Sequence, residues 1–205
     1  MPVLAENRAR LILKPGARSI YFNGNSILSP LVPHHGIMFP IQPDITYSQS
    51  VAYTPYDLTH TNYTFQAYRN TPSPDIQMTC QFASVTDEEA RYTYAVIHFL
   101  RSVSKMWFGA NEGNSGVEPG TPPPVLLFSA FGQQQFSHIP VVVTQFSTTY
   151  DSNVDLKLID GNLQIPTIMN MFIGIAIQQN PDRQKNVYST TDFISGKLYG
   201  EQGFI

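Results

Sequence analysis

With 205 residues the chain can bury one sizeable core, and neither a linker nor a shift in composition divides it. Only 13% of the residues are charged, about half the usual quarter, and the net charge is −3. The basic residues cluster at Arg8, Arg10, Lys14 and Arg18, and none occurs in 19–68 or 106–156, which argues against tight nucleic-acid binding and leaves an uncharged polar surface suited to burial in a defined assembly.

Residues 1–40 contain Pro15, Pro30, Pro33 and Pro40 with His34-His35, and read as an extended N-terminal arm that needs a neighbour to lie on. Residues 41–205 read as a single domain. Within it Ile45, Tyr47, Val51 and Tyr53 share one phase over 45–53, and Tyr63, Phe65 and Ala67 share another over 63–67, so the two segments are predicted to pair as a hairpin across Thr54–Asn62. The segment Ile76–Phe82 alternates apolar and polar without a fault, a strand with one buried and one wet face, and Cys80 falls on the buried side.

One helix is predicted, from 86 to about 108. Thr86 stands three residues before Glu89 as a capping box, Asp87 and Glu88 suit the helix dipole, and Gly109 closes the end. Tyr92, Val96, Phe99, Leu100, Val103, Met106 and Trp107 fall on one stripe, with Arg91, His98 and Lys105 opposite. A contact loop over 110–124 follows, rich in Gly, Asn and Pro. Further strands are expected at Val125–Phe131, His138–Tyr150, Val154–Ile159 and Ile168–Gln178. Residues 180–205 then form a polar C-terminal tail whose Phe204-Ile205 docks.

No residue earns a catalytic, cofactor-binding or metal-ligating assignment, and neither an enzyme nor a cofactor is expected. The histidines at 34, 35, 60, 98 and 138 lack ligand spacing, and the lone Cys80 offers neither a disulfide nor a zinc pair. The Gly109–Gly116 segment follows a helix and lacks the Lys-Ser or Lys-Thr ending of a phosphate loop. Most aromatics keep strand phase and read as core or cross-strand pairs rather than sugar platforms. No leader is evident, which makes the Asn62-Tyr63-Thr64 sequon accidental and places synthesis in a cytoplasm. The longest late apolar run, 168–177, is too short to insert in a membrane.

The chain resembles the small baseplate tail-tube proteins of contractile-tailed bacteriophages, which initiate or cap the tube. The likeness lies in Gly36-Ile37-Met38-Phe39-Pro40 leading to Pro43-Asp44-Ile45-Thr46-Tyr47, in Thr59-His60-Thr61-Asn62-Tyr63, and in the helix from Ala90-Arg91-Tyr92 through Ile97–Arg101 to Lys105–Gly109. It continues in Pro122–Leu126, Ile139–Val143, Val154-Asp155-Leu156, Ile165-Pro166-Thr167 and the ending Ser195–Leu198 to Gly203-Phe204-Ile205.

What the resemblance implies is a mainly β (α+β) tail-tube-like barrel or sandwich with one flanking helix. Six copies would form a homo-hexameric ring in the virion, beside tail-tube, hub and baseplate proteins, with DNA only in transit through the lumen. A closed ring would satisfy exposed strand edges. The N-terminal arm and the 110–124 loop would reach the next ring. A mildly acidic lumen would let DNA slide, provided that Arg8, Arg10 and Arg18 stay off the channel surface. Without a large insertion, the ring's position in the tube or baseplate stays open. The alternative is a carbohydrate- or receptor-binding module at the tail tip.

Overall fold

The computed structural model describes residues 7–109, 117–132, 135–198 and 203–205. In chain order these form β1 (Arg10–Leu13), α1 (Pro15–Phe22), a 3-10 segment (Ser29–His34), β2 (Gly36–Met38), β3 (Asp44–Ser48), β4 (Ala52–Tyr56) and β5 (Phe65–Asn70). Then come β6 (Asp75–Ala83), α2 (Asp87–Val103), β7 (Leu126–Ala130), β8 (Phe136–Thr149), β9 (Leu156–Ile159), β10 (Leu163–Pro166), β11 (Ile168–Ile177), α3 (Pro181–Asn186) and α4 (Thr190–Ile194). The chain is mainly β.

Seven strands make one sheet in the order β2-β1-β7-β8-β11-β6-β3, and every neighbouring pair is antiparallel. The alternation that predicts a strand at 76–82 is realised in β6, where Ile76, Met78, Cys80 and Phe82 are buried and the residues between them exposed. Across from them lie Ile175, Ile173, Met171 and Met169 of β11, so the two strands present matched apolar rows. Between Gly174 and Ile175 the register with β8 slips. This bulge lets Val143 and Phe146, an odd number of residues apart, both pack against the core.

One face of this sheet is covered by α2. Its N-terminus carries the full capping box: the Thr86 side chain accepts from Glu89 N–H at 3.2 Å, and the Glu89 carboxylate accepts from Thr86 N–H at 2.9 Å. Val96, Ile97, Phe99, Leu100 and Val103 are buried. Their burial is worth roughly 10 kcal/mol in gross transfer free energy, against about 1 kcal/mol for the cap, so packing holds the helix and the cap fixes where it starts. The helix ends at Val103, short of 108. Met106 is exposed, and Trp107 leaves the helix: its N–H donates to Thr121 O, and its carbonyl accepts from Gly120 N–H. These bonds close the neck of the loop whose residues 110–116 lie outside the described ones.

A two-stranded ribbon, β9 with β10, lies on another side of α2. Ile159 and Ile165 pack there against Ala90, and ion pairs Arg91–Asp160 (2.5 Å) and Lys157–Asp87 (3.0 Å) bracket the contact.

The expected N-terminal arm is corrected over residues 7–40, which belong to the core. Strand β1 lies inside the sheet between β2 and β7, and Leu11, Leu13, Leu28, Leu31, Ile37 and Phe39 are fully buried. Phe22 of α1 stacks on Phe99 at 6.2 Å and Tyr21 meets Trp107 edge-on at 6.1 Å. Of the prolines that suggested an arm, Pro15 starts α1 and Pro30 the 3-10 segment, where a missing N–H costs nothing, and Pro33 lies inside that segment. Gly36 holds β2 close to β1: at its φ of +155 a Cβ would stand 2.3 Å from the Leu11 carbonyl oxygen. The segment 45–53 also divides, because β3 joins the main sheet beside β6 while β4 pairs with β5. In the C-terminal tail α3 and α4 form, and Phe204 docks against Tyr188 at 5.4 Å; residues 199–202 lie outside the description.

Candidate interaction surfaces

The hairpin of β4 and β5 stands apart from the main sheet and is exposed almost throughout. Its register places Tyr53 opposite Tyr68 on one face, their rings edge to face at 5.9 Å, and Tyr56 opposite Phe65 on the other. These four residues are 53–60% exposed, and Tyr63 near the turn is 84% exposed. At the turn His60 takes a left-handed conformation (φ 64), and the Thr64 hydroxyl donates to the Asp57 carboxylate at 2.6 Å. Asp57 and Arg69 are the only formal charges in residues 49–73. A two-stranded ribbon is marginal by itself in water, and aromatic residues on both faces give it two surfaces to bury.

The two edges of the main sheet differ. On β2 the outward N–H and C=O of Met38 are both taken by the Tyr92 hydroxyl, which accepts at 2.9 Å and donates at 2.7 Å. Burial pushes the Tyr92 hydroxyl up to about 12, against the opposing pull of its bond to Met38. On β3 one side pairs with β6, and no other described strand pairs with the second side. One edge is therefore closed by a side chain, while the other carries no described strand on its second side.

The sheet face turned away from α2 is nearly uncharged. Arg10 on β1, Asp44 on β3 and Asp75 on β6 are the only formal charges in the seven strands. All three alternate with core-facing neighbours (Leu11, Ile45 and Ile76), so they share the face away from the core. Arg10 sits near one end of the strand order and the two acids at the other.

No protein-family model and no curated protein matches this chain.

Three of the five histidines, His35, His60 and His138, have positive φ, the first two at turns and the third inside β8 at its bulge against β7. His98 stacks with Tyr94 on α2 at 6.4 Å. Among the described residues no three His, Cys, Asp or Glu side chains come together as metal ligands would. Cys80 lies in the core, where burial, with the nearby Asp44 charge adding to it, pushes the thiol up to about 12. No helix among the described residues is long and apolar enough to cross a membrane.

Sequence reading missed the single-faced placement of Arg10, Asp44 and Asp75. The signal was present in β1, where Arg10 and Ile12 alternate with Leu11 and Leu13, but four residues are too few to stand out between prolines.

Proposed function

We propose that the chain is a structural virion protein, a subunit of a six-fold ring of a contractile phage tail tube within or next to the baseplate, which initiates or caps the tube and lines its channel. The observation that carries this reading is the projecting β4–β5 hairpin, aromatic on both faces, beside the open edge of β3. Six copies related by rotation bury such surfaces against one another without leaving an unpaired edge, because a head-to-tail contact that closes needs no second kind of interface. The sheet face away from α2 supports the same reading. With one arginine against two aspartates across seven strands, it offers DNA few cations to stick to. Arg10 is the residue that qualifies this, since of the three N-terminal arginines it is the one on that face.

The test is the mass and shape of the purified protein over a range of concentration, by mass photometry and negative-stain imaging, alone and with tail partners added. Rings with six subunits and a central hole support the proposal. A monomer or trimer that never forms rings overturns it. In that event the exposed Tyr53, Tyr56, Tyr63, Phe65 and Tyr68 favour the second reading, a carbohydrate-binding module at the tail tip, because aromatic faces stack on sugar rings; glycan-array binding is its assay.

A further inference from the structure

Exposed apolar side chains gather at both ends of β6. Beyond Asp75, whose register partner is Ser48, stands the β4–β5 hairpin, with Tyr56, Tyr63 and Phe65 of its distal half 55%, 84% and 58% exposed. Beyond Ala83, about 26 Å along the same strand, lies a second patch. Thr167 ties it together: its N–H donates to the Asp155 carbonyl at 2.8 Å, and its own carbonyl accepts from Ser84 N–H at 2.7 Å. Three segments of chain therefore run side by side there. Leu156 and Leu158 alternate with Lys157, which pairs with Asp87 at the start of α2, and with Ile159, which packs on Ala90, so both leucines point away from the helix. Leu156 lies opposite Pro166, and Ile168 follows two residues later on the same face, alternating with the buried Met169. Ile168 in turn lies opposite Ala83, with Val85 two residues beyond. Val85, Leu156, Leu158 and Ile168 are 69%, 59%, 53% and 45% exposed.

We propose that this patch receives the distal half of the hairpin from a second copy of the chain, so that opposite ends of β6 meet head to tail. The proposal rests on the ring assembly proposed above and names the surface that takes the hairpin. Placement selects the occupant. Two unlike apolar surfaces at opposite ends of one strand do not meet within the chain, where both stay exposed. A copy displaced along the strand brings one to the other, and repeating that contact by rotation closes a ring. The areas match as well: three aromatic side chains at these exposures offer roughly 400 Å², and the four aliphatic ones about as much. Their sum of about 800 Å² falls short of the about 1,000 Å² of a stable pairwise interface. A single contact is therefore weak, and the closed ring, where each copy is held twice, is the form that persists.

The test uses the full chain in four forms, all checked for native circular dichroism and melting. They are the wild type, a hairpin variant (Tyr56→Ser, Tyr63→Ser and Phe65→Ser), a patch variant (Leu156→Lys and Leu158→Lys), and Ile194→Lys, which alters an 80% exposed residue outside both surfaces. Sedimentation velocity reads their association. The hairpin and patch variants are each expected to associate at least about 30-fold more weakly than wild type, the effect of losing one buried anchor, and Ile194→Lys to assemble as wild type does. Mixed in equal amounts, each defective chain keeps the surface that the other lacks. At high protein concentration the mixture is expected to give a one-to-one dimer that neither chain forms alone and that grows no further. Wild-type-like assembly of either variant, or a mixture that stays monomeric, overturns the contact while leaving the ring intact. Loss of assembly in Ile194→Lys overturns it too, because added charge alone then accounts for the patch result. Open fibres of the wild type in place of rings overturn the ring reading and keep the contact. A wild type that never self-associates overturns both.

Discussion

The Tyr92 hydroxyl reaches across 54 residues of sequence to bond both the N–H and the C=O of Met38. An edge strand of three residues is thereby finished by a helix side chain, and α2 is fixed against β2 as well as against the sheet face. Tyr92→Phe keeps the ring and removes the one atom that serves both groups. The expected cost is about 2 kcal/mol, a drop in Tm of roughly 4–8 °C for a domain of this size, with greater aggregation as the edge opens. Thermal melting with light scattering measures both. Because the folded hydroxyl titrates near 12, above the ordinary tyrosine range, its contribution is complete below about pH 10 and is lost as the pH rises toward 12. Tyr92→Phe should flatten that alkaline fall.

Thr86→Ala removes the cap that starts α2. It is expected to cost about 1 kcal/mol, a Tm decrease of roughly 2–4 °C, read equally well as a shift in urea midpoint at constant slope. The Glu89 carboxyl is held below its ordinary range, first by the Thr86 backbone N–H and then by the Thr86 side chain. A depressed folded value means the contribution is present above the normal glutamate range and is lost as the pH falls through the folded value. Glu89→Gln should lose that acid dependence while keeping the helix.

Cys80 should be inert in the folded protein. Its thiol sits in the row of β6 that faces β11, and titrates near 12. Only the thiolate attacks a disulfide reagent, so at pH 8 the native chain should react with Ellman's reagent only at the rate of unfolding, and at once in guanidinium. Rapid labelling of native protein would mean that β6 leaves the sheet. The same raised value makes the thiol a source of alkaline instability, since the unfolded chain ionises near 8.5 while the folded chain does not.

How legible the fold was in the sequence depended on how long each local signal ran. β6 and α2 could be read because seven residues of unbroken alternation, and then a capping box with a 3.6-residue stripe, each repeat the same message. The strands after 125 were readable for the same reason, apart from the short β10, whereas α3 and α4 were not, being short helices in a stretch read as a polar tail. β1 was lost because four residues between Asn7 and Pro15 cannot establish a period, and its burial comes from β2 and β7, partners distant in sequence. The break after Ser48 was hidden because Ile45, Tyr47, Val51 and Tyr53 keep phase across a gap where the backbone changes sheets. The α2 stripe was extended to Met106 and Trp107 because both fit the helical period, whereas the bonds between Trp107 and Gly120–Thr121 that end the helix are tertiary. The bulge of β8 against β7 at His138 was hidden likewise, since no periodicity announces it.

These corrections change which part of the chain should govern assembly. Removing residues 1–35, which would be harmless to folding in a detached arm, deletes an interior strand and should leave no cooperative unfolding transition. The hairpin is the segment that can be altered without touching the core. Five aromatic side chains there, each carrying about 150–250 Å² and more than half exposed, supply roughly 600 Å² per copy, most of the about 800 Å² that one partner contributes to a standard interface. Replacing Tyr53, Phe65 and Tyr68 together with Ser should therefore leave Tm within a few degrees, since exposed substitutions each change stability by about 0.5 kcal/mol or less. Self-association should fall below detection at micromolar concentration in mass photometry. Retained assembly with an unchanged melting curve would remove the hairpin from the interface and leave the open edge of β3 as the remaining surface for a ring to use.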